Sequence, residues 1–220
     1  FCSEEDAPLD EERELKARYA WVIDPIDGTN NYALGLPFCA ISLGLLRGGE
    51  PVYGFIYDLG RRTLMQGGPA TGSFDGCRKL AIAPSPPGPH GVLGIGFPLP
   101  APVATAVLPL LSSFRVRSLG SCALHLAYVA AGLLDGCLDT RAKVWDLAAA
   151  IAILRGAGGT FQPIAPSPFP LRRFSARAPA IPYVAGGPGM MPIWNDALGS
   201  LLTGDSPDRD QAEGTTGCTL

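Results

Sequence analysis

Histidine is scarce in this chain. His90 and His125 are the only two, and none of the six cysteines (positions 2, 39, 77, 122, 137 and 218) forms a CxxC pair. A zinc site of the usual Cys/His kind is therefore not expected, and a Ser-His-Asp or Cys-His enzyme has few candidate residues. Charge is also sparse: 17% of residues are Asp, Glu, Lys or Arg, below the usual ~25%. The balance of 17 basic against 20 acidic residues gives a net charge of −3. No basic excess is available to neutralise a nucleic-acid backbone. No run of about eighteen apolar residues exists, so no membrane span is expected. The first residues lack a basic-then-apolar leader pattern. Unpaired thiols and no leader together suggest a cytoplasmic protein with reduced cysteines. The chain also lacks an initiator Met, which suggests a fragment or a processed product. Any metal chemistry must rest on carboxylates.

What is present is enough apolar material for a sizeable core: 220 residues, 47% of them hydrophobic. Residues 1–18 are acidic and polar and read as a loop or a frayed helix. Tyr19 to Ile23 reads as a buried strand. Two further strands, about 38–46 and 52–57, flank the turn Arg47-Gly-Gly-Glu50 as a hairpin. Short glycine-broken strands follow over 63–82. Beyond a Pro-rich stretch the pattern changes to alternating elements: strands near 92–97, 115–119, 136–140, 160–163 and 181–185, and helices near 103–113, 121–134, 145–155 and 191–202. The expected organisation is an N-terminal α+β part (1–83), a connector (84–91), a C-terminal α/β part (92–203) and a disordered polar tail (204–220). Alternating helices and strands indicate a layered α/β or α+β protein. His90 and His125 read as structural, and Trp194 as packing for the last helix.

The informative segment is Trp21-Val-Ile-Asp-Pro-Ile-Asp-Gly-Thr-Asn30. A buried strand ends in two aspartates, Asp24 and Asp27, and Pro25 bends the chain so that both can converge. Paired carboxylates at close range repel. A divalent cation removes that repulsion, and hard oxygen donors suit Mg²⁺. The Ile26 carbonyl lies in the same turn and could add another oxygen. If a helix or turn starts at Gly28 and Thr29, their N–H groups form an anion site. Carboxylates for a metal beside amides for an anion point to phosphate-ester chemistry. Two other segments are weaker when taken singly. Asp146, in Val144-Trp-Asp-Leu, reads alone as a helix N-cap. Glu4, in Ser3-Glu-Glu-Asp6, reads alone as part of a charged run.

In combination these pieces resemble the inositol monophosphatase family of Mg²⁺-dependent phosphatases. A Glu-Glu pair stands twenty residues before Asp24, Asp24 to Thr29 reads DPIDGT, Trp145-Asp146 opens a later helix, and Gly156-Ala-Gly-Gly159 follows it. Arg117-Ser-Leu-Gly-Ser121 is similar to the stretch before the family's substrate-side helix. The resemblance covers about residues 3–202. It implies an inositol monophosphatase-like sandwich of alternating helix and sheet layers, here without the family's N-terminal helical layer, and a homodimer. It implies hydrolysis of a small phosphorylated polyol or sugar by a metal-activated water.

On motif position, Glu4, Asp24, the Ile26 carbonyl, Asp27 and Asp146 would hold Mg²⁺, and Glu4 and Thr29 would orient the attacking water. Ile26, Asp27, Gly28, Thr29 and Asp146 would border the phosphate, with the Gly28 and Thr29 amides binding it. Gly120, Ser121, Cys122 and Asp139 would face the rest of the substrate. Two departures stand out. Ala150 replaces a glycine common in the family. Asp139 replaces a Glu common in inositol-specific members, so it has a shorter reach toward ring hydroxyls. Inositol monophosphate is the leading substrate. The alternatives are histidinol phosphate and a catalytically impaired member acting as a binding subunit.

Overall fold

The protein is described by a computed structural model over residues 1–3, 5 and 12–202. In chain order the elements are β1 (Cys2–Ser3), β2 (Arg13–Glu14), β3 (Tyr19–Asp27), α1 (Thr29–Ala33), β4 (Ala40–Arg47), β5 (Glu50–Asp58), β6 (Thr63–Gly68), β7 (Gly72–Asp75), β8 (Arg78–Leu80) and β9 (Val92–Ile95). They continue as α2 (Ala101–Ser113), β10 (Arg115–Arg117), α3 (Cys122–Ala130), β11 (Gly136–Asp139), α4 (Val144–Gly156), β12 (Thr160–Pro163), β13 (Arg173–Phe174), β14 (Tyr183–Gly186) and α5 (Met191–Leu202). Residues 81–91 hold no helix or strand.

The side-chain period of two decides how the first half folds. Along β4 every second residue is buried, namely Ala40, Ser42, Gly44 and Leu46, so one face turns inward. The same pattern carries through β5, and the strands stack as antiparallel neighbours in a seven-stranded sheet of order β1-β3-β4-β5-β6-β7-β8. Only β1 joins in parallel, with Cys2 beside Val22 and Ser3 beside Ile23. In the second half, β11 and β14 are buried at every residue. They lie inside a five-stranded mixed sheet of order β10-β9-β11-β14-β12.

Between the two sheets lie α3 and α4. Helix α4 is buried at every position from Val144 to Leu154, as a helix apolar all round must be. Its small residues Ala148 and Ala149 meet Gly44 and Gly54. A Cβ on Gly54 would come within 2.2 Å of the Ala149 carbonyl oxygen. Glycine in the strands and alanine in the helix thus allow unusually close contact between layers. On the far side of the five-stranded sheet, α2 and α5 build a second core from Val103, Val107, Met191, Trp194 and Leu198. The Trp194 indole N–H donates to the Ala185 carbonyl at 3.1 Å. The layer order is sheet, helices, sheet, helices, the layered α/β arrangement expected from the sequence.

Two features differ from the sequence reading. Part of the acidic N-terminal segment is strand: β2 pairs with β13 in a separate two-stranded sheet. Strands of two residues have no readable period, and their partners are remote in sequence. Helix α3 ends at Ala130 rather than near 134, where Gly132 takes a positive φ of 73°. The expected polar tail, 204–220, lies outside the described residues. Among the described residues no helix is long and apolar enough to cross a membrane.

Candidate metal and phosphate site

Strand β3 pairs with β4 as far as Asp24, and the register then slips before Asp27. That irregularity follows from Pro25, which has no N–H for the ladder. It lets Asp24 and Asp27 come together instead of alternating across the sheet. The Ile26 N–H donates to Asp24 Oδ1 at 2.9 Å, closing the turn. Gly28 then adopts φ 86°, ψ 38° and caps α1. A side chain there would be strained, and its Cβ would lie 2.7 Å from the Phe38 carbonyl oxygen.

The third carboxylate comes from α4. The helix starts at Val144, so Asp146 sits in its first turn rather than at the N-cap. Its Oδ2 accepts from the Lys143 N–H at 2.8 Å. With that anchor, Asp24, Asp27 and Asp146 each bring one ligand oxygen within 4.8 Å of the other two, and all three residues are buried. Of the positions expected to hold a metal, Asp24, Asp27 and Asp146 converge; Glu4 lies outside the described residues.

This cluster is electrostatically uncomfortable by itself. Burial pushes the Asp27 carboxyl up to about 6. Asp146 is raised well above the usual carboxylate range, first by burial and then by the charges of Asp27 and Asp24. Helix α3 provides partial relief. The Ser121 hydroxyl and the Ala123 N–H, at 2.7 Å, both donate to Asp27 Oδ2. Ser121 Oγ also accepts from the Leu124 N–H, capping the helix. Asp27 thus meets the positive end of α3. Three buried carboxylates with so little neutralisation fit a hard divalent cation.

Thr29 donates its hydroxyl to the Ile26 carbonyl at 2.9 Å. That carbonyl keeps a second lone pair. Gly28 and Thr29 head α1, where early N–H groups have no acceptor within the helix. Beside the cluster a cavity of about 350 Å³ opens between Asn30, Asn31, Gly120, Cys122, Asp139 and Arg141. That is enough for a small ligand. A larger cavity of about 620 Å³ lies against 165–181, has a mainly apolar lining and shares no lining residue with the smaller one.

Within the smaller cavity, Asp139 is only 5% exposed. Its Oδ1 accepts from the Arg141 N–H at 2.7 Å and its Oδ2 from the Cys122 thiol at 3.3 Å. A Cβ on Gly96 would collide with this carboxylate, at 1.8 Å from Oδ2. Burial beside Asp139 also pushes the Cys122 thiol well up, so it is a hydrogen-bond donor and not a nucleophile.

Sequence reasoning missed Asn31, whose amide donates to the Phe38 carbonyl at 2.8 Å and the Leu119 carbonyl at 2.6 Å. It ties α1 to the loop that presents Ser121. It also missed Arg141, for which the only sequence cue was its position two residues after Asp139. His125 is structural, as expected: it is buried, and its Nε2 accepts from the Leu119 N–H at 3.0 Å.

A description of the inositol monophosphatase family matches residues 1–187 of this chain. The Nus factor SuhB of Xylella fastidiosa is 38% identical over 148 residues, covering 64% of this chain and 54% of that protein. The probable inositol 1-monophosphatase ImpA of Mycobacterium tuberculosis is 38% identical over 167 residues, 70% of this chain and 61% of that protein. The chain therefore spans about half to three-fifths of these relatives' lengths. Among solved structures, the extragenic suppressor protein SuhB of Bartonella henselae superposes with a TM-score of 0.72 at 28% identity, over 83% of this chain and 71% of that one. The inositol monophosphatase of Anabaena gives 0.71 at 28% identity, over 93% and 78%. With the fold, the carboxylate cluster and the sequence all in agreement, the chain belongs to the inositol monophosphatase family.

Proposed function

We propose that this chain carries the centre of a Mg²⁺-dependent phosphatase acting on a small phosphomonoester of a polyol or sugar, with inositol monophosphate as the first candidate. The observation that carries this reading is the convergence of Asp24, Asp27 and Asp146 within 4.8 Å, buried, beside a polar cavity. Relatives named inositol-1-monophosphatase, from Mesorhizobium japonicum and Mycolicibacterium smegmatis, support it. A homodimer and a role for Glu4 belong to the same reading on the family resemblance alone, and a cytoplasmic location on the unpaired thiols.

Asp24, Asp27 and Asp146 would hold Mg²⁺, with the Ile26 carbonyl as a further oxygen. The ion supplies Lewis acidity, which acidifies water near neutral pH and offsets charge building on the ester oxygens. The rest is done by the chain. Ser121 and the Ala123 N–H hold Asp27 in place, the Lys143 N–H holds Asp146, and the Ile26 N–H holds Asp24. The Gly28 and Thr29 amides bind the phosphate oxygens and share the charge that develops on them. Thr29 donates its hydroxyl hydrogen bond to the Ile26 carbonyl, so its hydroxyl oxygen can accept from the attacking water and orient it. Gly120, Cys122 and Asp139 border the space for the alcohol part of the ester, whereas Ser121, expected there as well, is buried and turned to Asp27. No covalent phospho-enzyme is needed.

The test is phosphate release from inositol 1-phosphate, histidinol phosphate and fructose 1,6-bisphosphate, each with Mg²⁺ and with EDTA. Release that needs Mg²⁺ and falls at least about a thousandfold in Asp24→Asn is the expected result. Release that persists in EDTA, or in Asp24→Asn, contradicts the reading. A folded chain that binds Mg²⁺ but releases no phosphate would instead identify a non-catalytic binding member.

A further inference from the structure

In the cavity beside the carboxylates, three polar side chains of the wall, Asn31, Asp139 and Cys122, are already committed to the protein itself. Both Asn31 amide hydrogens go to backbone carbonyls. Both Asp139 oxygens are engaged, and the Cys122 thiol is spent on one of them. Three polar side chains of the wall, Asn30, Ser118 and Arg141, are exposed and unengaged among the described residues, and Arg141 is the only cation of the three. It lines the cavity, is exposed, and its guanidinium has no ion pair or hydrogen bond among the described residues. Arg61, Arg155 and Arg173 each face a carboxylate, at 2.8, 3.6 and 2.8 Å; what sets Arg141 apart is that it is the arginine on the wall of this cavity. The nearest acid in sequence, Asp139, is turned inward against Gly96 and held by the Arg141 backbone rather than by its side chain. The main chain at Arg141 is thus pinned at the cavity wall while its five guanidinium donors are uncommitted among the described residues.

From this arrangement we infer that Arg141 is a specificity-determining residue that recognises a second oxyanion, a phosphate or a carboxylate, on the alcohol part of the substrate. The inference deepens the phosphatase reading and rests on it for the position of the scissile phosphate. A planar guanidinium binds phosphate and carboxylate oxygens in pairs and has no comparable partner in a neutral hydroxyl group. The cavity adjoins the cluster through Cys122, next to the Ser121 that bonds Asp27. One small molecule can therefore place one phosphate at the cluster and a second anion at Arg141. A neutral polyol phosphate fills the same space and leaves the guanidinium in water.

The experiment uses three compounds on one six-carbon scaffold: glucitol 6-phosphate, gluconate 6-phosphate and glucitol 1,6-bisphosphate. Wild type, Arg141→Gln and Arg141→Lys are compared by kcat/KM for phosphate release with Mg²⁺. Binding of the same compounds is measured by calorimetry in EDTA, where no hydrolysis consumes them. The expected result is a preference for one or both dianionic-site compounds over glucitol 6-phosphate. That ratio falls about tenfold or more in Arg141→Gln and is partly kept in Arg141→Lys. Which compound gains more, the carboxylate or the bisphosphate, identifies the second anion. Turnover with a ratio unchanged in Arg141→Gln overturns the inference while the phosphatase reading stands. A binding preference that depends on Arg141 without any turnover upholds the anion site and removes the phosphatase reading. Neither turnover nor preference removes both.

Discussion

The two large sheets of this protein are built from similarly apolar strands and placed in very different surroundings. The five-stranded sheet is covered by α3 and α4 on one side and by α2 and α5 on the other, and β11 and β14 are buried throughout. The seven-stranded sheet is covered by α4 on one side. Its other face carries Trp21, Tyr53 and Phe55 half-buried, with Ile41, Tyr57 and Leu64 exposed. Strands covered twice read as unbroken apolar runs, and strands covered once alternate. The site takes something from each layer. The seven-stranded sheet supplies Asp24 and Asp27 from β3, the five-stranded sheet supplies Asp139 from β11, and the shared helix α4 supplies Asp146. The chemistry therefore depends on how closely α4 is clamped between the sheets.

Matched truncations break the comparison most sharply. Leu138→Ala, in a strand buried on both faces, should cost about 3 kcal/mol. Leu64→Ala, on the open face, should cost under about 1 kcal/mol. Urea unfolding of the two variants checks this, and equal costs would contradict the layer assignment. The clamp itself is tested by Gly54→Ala. The added methyl would strike the Ala149 carbonyl and should cost about 2 kcal/mol. It should also weaken metal binding by displacing α4, measured by a Mg²⁺ titration.

A smaller loss is expected from Tyr128→Phe. The Tyr128 hydroxyl donates to buried Asp58 at 2.6 Å, joining α3 to β5, and its loss should cost about 1–2 kcal/mol by the same unfolding assay.

The smallest effect is one of pH, in the metal-free protein. Asp27 is raised to about 6 by burial, so the folded state holds its proton more readily than the unfolded chain does. Stability from this group rises as pH falls from about 6 toward 4. His125 acts in the opposite sense. Burial lowers it to about 4, so its contribution is complete above about 6.5 and is lost as pH falls toward 4. Asp27→Asn removes the first term and leaves the second. In EDTA it should melt higher than wild type near about pH 7.5, and the gap should close by about pH 5. A variant that melts lower at the higher pH would contradict this.

Much of the fold was legible because periodicity is a local property. The alternation of β4 and β5, the all-apolar stretch of α4 and the glycines after it sit within single windows of sequence. The two-residue strands β1, β2 and β13 were not, since each exists only through a remote partner. The site divides in the same way. Asp24 and Asp27 are visible as a pair because Pro25 and Gly28 mark the turn between strand and helix. Asp146 has no local mark beyond a helix start, and only the joint motif pattern connected it to the others. Arg141 and Asn31 were invisible, because what sets them apart is the use or disuse of their hydrogen bonds in three dimensions.

The central claim is that carboxylates from β3 and from α4 hold one cation together. Calorimetric titration of Mg²⁺ into wild type and Asp146→Asn, with circular dichroism to verify the fold, tests it most directly. Wild type should bind Mg²⁺ saturably, and the folded variant should lose that binding. Equal Mg²⁺ affinity in the two proteins would contradict it.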